Sequence, residues 1–124
     1  MGPEGVGNKE LSAIAGPASE GLLVTLPKSF DQDPKNQALV EAFKAKKEDP
    51  SGPFVFPAYA AVQVIAEGIK KAGDTDTAKV AAALRANTFA TPTGDLSFDA
   101  KGDLKDFSFV VYDWHADGTK TEAK

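Results

Sequence analysis

The chain has 124 residues, is 42% hydrophobic, and sets 14 lysines and arginines against 18 aspartates and glutamates for a net charge of −4. That is enough apolar surface for one ordinary core, while basic residues scattered among acidic ones form no phosphate-tracking patch and argue against nucleic acid as a partner. The absence of cysteine excludes disulfides, CxxC redox chemistry and thiolate zinc sites, and leaves the compartment open. No apolar run approaches the roughly 18 residues of a membrane-spanning helix. The opening MGPEGVGNKE lacks the charged and apolar regions of a secretory signal, so either the protein stays inside the cell or a signal lies in sequence outside this chain.

In chain order, Gly2-Pro3-Glu4-Gly5 reads as a rigid turn with one carboxylate at its tip, and on the residues alone Glu4 is an exposed loop glutamate. Asn8 or Ser12 opens a short helix through Leu11 to Ala15, closed by Gly16-Pro17. Gly21 to Thr25 is a nearly continuous apolar run, as expected of a strand covered on both faces. Asp33-Pro34 reads as an N-cap with proline at the first helical position. Leu39, Val40 and Phe43 follow at helical spacing. The breaker Asp49-Pro50-Ser51-Gly52-Pro53 ends that helix, and Lys44, Lys46 and Lys47 near its end complement the helix dipole rather than forming a binding patch.

A second amphipathic segment runs from Ala58 to Ala72, with Ala61, Val62, Ile65 and Ile69 as its apolar stripe and Gly73 as C-cap. Asp74 to Thr77 offers N-caps for a third helix through Val80 and Leu84 that ends near Asn87. Leu96 and Phe98 alternate with Asp95, Ser97 and Asp99. Lys101-Gly102-Asp103 is then a turn, and Phe107, Phe109 and Val111 resume the period of two, so a β-hairpin or a pair of adjacent strands is expected. From Val110 to Trp114 both faces become apolar, Asp117-Gly118 marks another turn, and the last residues are polar. Helices interleaved with short strands give an α/β class.

The search for chemistry returns no catalytic residue, no metal site and no cofactor. His115, the only histidine, has no serine or acid beside it at a triad or elbow spacing and reads as structural or surface. Asp95, Asp99 and Asp103 lack the ligand order of a calcium loop. No glycine pattern matches a nucleotide fingerprint.

Several stretches together resemble the C-terminal part of a periplasmic leucine/isoleucine/valine-binding protein, of the type I solute-binding family of ABC transporters. They are Met1 to Asn8, Ile14-Ala-Gly, Glu20 to Thr25, Tyr59-Ala-Ala, Gly94 to Lys105, and Trp114 to Thr119. The resemblance implies two flavodoxin-like three-layer α/β lobes closing on a ligand, of which this chain is the last third with a C-terminal β-hairpin region. It further implies about residues 1–53 as second-lobe sequence, about 54–95 as first-lobe helices, and about 96–124 as closing strands and a hinge crossing. It carries Glu4 over as the partner of the bound amino acid's ammonium, and Phe54 as a wall of the side-chain pocket, although a core phenylalanine looks the same. Phe56-Pro57-Ala58 departs from the polar or β-branched residues of relatives and leaves ligand preference and the helix start open.

The implied protein is periplasmic and not an enzyme. Its partners are a small amino acid, the N-terminal part or a complementary chain, and an ABC transporter permease. The alternative reading is an engineered or ancestral stand-alone α/β fragment without a ligand, which self-associates as a homo-oligomer or by swapping elements.

Overall fold

The computed structural model describes residues 1–124, which divide into two compact units, Met1–Ser29 with Ser108–Lys124, and Phe30–Phe107. In the first unit, helix α1 (Lys9–Ala15) precedes strand β1 (Leu22–Pro27). β1 pairs antiparallel with β4 (Phe109–Trp114), which pairs antiparallel with β5 (Lys120–Glu122). Asn8 caps α1, its carboxamide oxygen accepting from the Glu10 N–H at 2.9 Å, and Gly16 ends the helix with φ +54°. The core of this unit is Val24, Leu26, Tyr112 and Trp114, with Leu11, Leu22 and Val110 packed against it. The Leu22↔Trp114 and Val24↔Tyr112 rungs place these side chains opposite one another, which is how adjacent strands build a common apolar face.

In the second unit, Asp33 accepts from the Lys35 N–H at 3.0 Å above a 3-10 turn, Pro34–Asn36, that leads into α2 (Gln37–Ala45). Helix α3 (Val55–Ala72) ends on Gly73 in the left-handed conformation. Helix α4 (Thr77–Ala86) is capped by Asp76. Strands β2 (Thr88–Thr91) and β3 (Gly94–Ser97) form a two-stranded antiparallel hairpin. The buried Asn36 carboxamide donates to the Phe30 and Pro92 carbonyls at 2.9 and 2.8 Å, tying the entry of α2 to the turn of this hairpin.

Two expectations are corrected. Residues 94–99 do not pair with 107–111: β3 pairs with β2, and β4 with β1 and β5. The turn between them is real. The Asp99 carboxylate accepts from the N–H groups of Lys101, Gly102 and Asp103 at 2.8, 2.9 and 2.9 Å, and Gly102 has φ +100°. A single bridge, Phe98↔Leu104, follows before the chain leaves for the other sheet.

The second correction is the face of α3. Phe56, Ala60, Val64 and Gly68 are buried, whereas Val62 is 69% and Ile65 52% exposed. Small residues decide this: a Cβ on Gly68 would stand 2.6 Å from Leu84 Cδ2, so the glycine is what lets α4 approach closely. α3 is therefore apolar on both sides, and the periodicity picked the side that α4 and β2 do not cover.

Candidate functional site

Met1 to Asn8 form a turn strapped to β1. Gly2 makes a parallel bridge to Val24, with its N–H donating to the Leu23 carbonyl at 2.7 Å and its carbonyl accepting from the Thr25 N–H at 3.3 Å. Pro3 then leads into a single 3-10 turn, Glu4–Val6, closed by the Gly7 N–H on the Glu4 carbonyl at 3.1 Å. The Asn8 carboxamide donates to the Gly5 carbonyl at 3.3 Å while its oxygen caps α1, so one side chain fixes both the turn and the helix that follows.

The Glu4 carboxylate is exposed and takes part in no hydrogen bond or ion pair within the chain. A fixed backbone carrying an unused carboxylate is suited to meet a cation from outside the chain.

Glycine at position 7 is a packing requirement. Its φ of −79° suits any residue, but a Cβ there would lie 2.6 Å from Leu26 Cδ2 and 2.9 Å from Leu26 Cδ1. Leu26 is fully buried and has no room to yield. Gly7→Ala is expected to destabilise the first unit by about 1–3 kcal/mol, the range for overpacking a core. Denaturant unfolding checks this, and an unchanged midpoint would mean that the turn is not clamped on β1.

Phe54 is the N-cap residue of α3, its carbonyl accepting from the Ala58 N–H at 2.9 Å, and the residue is 46% exposed. The core position belongs to Phe56, 2% exposed, whose ring lies 6.2 Å from that of Phe43. Phe43 also meets Tyr59 edge-on at 6.3 Å. Pro57 sits within the first turn of α3, where its missing N–H costs nothing. Glu4 belongs to the first unit and Phe54 to the second.

A polar cluster that the sequence did not disclose lies in the first unit. The Glu20 carboxylate takes the His115 Nδ1 at 2.9 Å with one oxygen and the Ala116 N–H at 2.7 Å with the other. His115 Nε2 meets Thr121 Oγ1 at 3.1 Å. The hydrogen bond from His115 holds the Glu20 carboxyl below the usual carboxylate range, and the Glu20 carboxylate in turn raises His115 above its ordinary value. Beneath it, Trp114 Nε1 donates to Ser12 Oγ at 2.8 Å, and Ser12 Oγ donates to the His115 carbonyl at 3.1 Å. No group of carboxylate and imidazole side chains is arranged to hold a metal ion, and no helix is long and apolar enough to cross a membrane.

Residues 1–119 match the family described as periplasmic binding protein. Over its whole length the chain is 70% identical to the leucine-, isoleucine-, valine-, threonine- and alanine-binding protein of Pseudomonas aeruginosa, and 56% identical to the Leu/Ile/Val-binding protein of Citrobacter freundii. It spans 33% of the length of each, about a third.

Among solved structures, a leucine-binding protein from Thermotoga maritima superposes with a TM-score of 0.79 at 28% identity, covering 98% of this chain and 35% of that one. A solute-binding protein of an ABC transporter from R. palustris, in complex with benzoate, superposes at 0.68, also at 28% identity, covering 90% and 31%. The α/β elements described above are thus a fragment of a larger type I periplasmic-binding-protein fold, and the chain belongs to the periplasmic binding protein family.

Proposed function

We propose that this chain is the C-terminal third of a periplasmic solute-binding protein that captures branched-chain or similar aliphatic amino acids in an interlobe cleft and delivers them to an ABC transporter. The observation that supports the reading most is the Glu4 turn: a carboxylate unused by the fold, on a backbone held by Gly2, Gly7 and Asn8. The names of the relatives favour the ligand class. Because the chain spans a third of their length, it supplies the ammonium partner and part of the apolar wall. The groups that hold the ligand's carboxylate belong to the rest of the protein. No step of chemistry is needed, since binding and release by closure of two lobes accomplish the task.

Calorimetry on the complete protein with a panel of amino acids tests this reading. Micromolar or tighter binding of leucine, isoleucine or valine is expected, and silence across the aliphatic members would refute it. The same panel resolves Phe54. If this half-exposed residue lines the side-chain pocket, Phe54→Ala should cost leucine about 1–3 kcal/mol per methylene that loses contact while sparing glycine. Equal losses for leucine and glycine would instead place Phe54 in the support of α3.

A further inference from the structure

The cluster at Glu20 stands apart from Glu4 and Phe54 in its chemistry, and the proposed binding function makes no use of it. β1 and β4 pair up to the Leu22↔Trp114 rung, beyond which the Gly21 N–H still reaches the Trp114 carbonyl at 2.9 Å. Just past this end of the ladder stand Glu20, two residues before Leu22, and His115, one residue after Trp114, and their side chains meet at 2.9 Å across it. We propose that Glu20 and His115 form a proton-tightened latch, which clasps the turn between β4 and β5 to the corner between α1 and β1 and holds it most firmly in mildly acidic solution.

The ring can change charge without losing a hydrogen bond. When neutral with its proton on Nδ1, it donates to Glu20, and Nε2 accepts from the Thr121 hydroxyl. When protonated, Nε2 donates to the same oxygen, which serves either way. What changes is the strength of the Glu20 contact, since a hydrogen bond between two ions exceeds one between an ion and a neutral ring.

The carboxylates around the ring act in one direction. Glu20, Asp117 and Asp113 all favour the imidazolium, against some desolvation. From α1, Lys9 reaches the far end of the turn, its Cγ 3.9 Å from where a Cβ on Gly118 would sit. The Glu20 carboxylate also holds the Ala116 N–H directly, so the latch acts on the backbone of the turn as well as on the ring.

The direction with pH follows from the two partners. His115 is raised in the folded state, so its contribution is complete below the ordinary value of 6.5 and fades as pH rises through the raised value. Glu20 is lowered from 4.5, so its contribution is present above that value and fades as pH falls through the lowered one. The latch is therefore tightest between the two and loosens toward alkaline pH.

An NMR titration of His115 in the intact polypeptide, with exchange of the Ala116 amide followed from about pH 5 to about pH 8, tests the latch. Normalised for intrinsic exchange, Ala116 protection should fall several-fold as His115 loses its proton. Glu20→Gln keeps an acceptor for Ala116 but removes the charge, and should move the His115 titration downward and flatten the Ala116 profile. His115→Asn, which cannot titrate, should flatten it as well. An unmoved His115 titration in Glu20→Gln, or a pH-dependent Ala116 profile persisting in His115→Asn, would overturn the proposal.

Discussion

Trp114→Ala is expected to lower the stability of the first unit by about 3–5 kcal/mol, the range for emptying a buried aromatic site. The indole is 3% exposed among Val24, Leu26 and Tyr112, and it is also wired to α1 through its Nε1 donation to Ser12. Truncation therefore opens a cavity beneath the sheet and removes the donor that Ser12 accepts. Trp114→Phe separates the two effects, because it fills much of the space but has no N–H, and should cost less than the alanine variant. Trp114 is the only tryptophan, so the variants must be followed by circular dichroism rather than fluorescence. A loss under about 1 kcal/mol in Trp114→Ala would show that β1 and β4 do not depend on this cluster.

The second large effect concerns binding. On the proposed function, Glu4→Gln in the complete protein weakens capture of an aliphatic amino acid by about 2–5 kcal/mol, the range for removing one partner of a buried charge pair. That corresponds to roughly 30-fold to a few thousand-fold in Kd. Thermal stability should be unchanged, because the carboxylate is exposed and makes no bond inside the chain. Calorimetry and a melting curve on the same preparation check both halves. Unchanged affinity with normal melting would remove Glu4 from the site, and a large drop in melting temperature would reassign it to the fold.

Local grammar was the legible part of this sequence. Asn8, Asp33 and Asp76 cap as their chemistry demands, Gly73 closes α3, and Asp99 with Gly102 makes its turn, because each depends on residues a few positions away. Pairing was not legible. A period of two tells which residues share a face, but it carries no address for the partner strand, so alternation alone points β4 to the nearby 94–99 rather than to distant β1. β2 leaves no such signal, since Thr88 to Thr91 is too short to show a period.

Helix α3 failed for another reason. Apolar residues ring it, and only the small Ala60 and Gly68, which periodicity discounts, reveal which side accepts a neighbour. Of the candidate residues, Glu4 was carried by resemblance. On its own, an exposed turn glutamate has no distinguishing pattern. Glu20 and His115 meet only because β1 pairs with distant β4 and brings the residues flanking that end of the ladder together, which no spacing rule contains.

The uncovered side of α3 has a thermal consequence. Val62 and Ile65 stand in water on a helix with no charge from Val55 to Ala66. Shielding such a surface is driven near room temperature by the release of water, with little enthalpy and a negative change in heat capacity. Contact through this face therefore strengthens as the solution is warmed and fades in the cold. Handled alone, the chain should be most soluble when chilled.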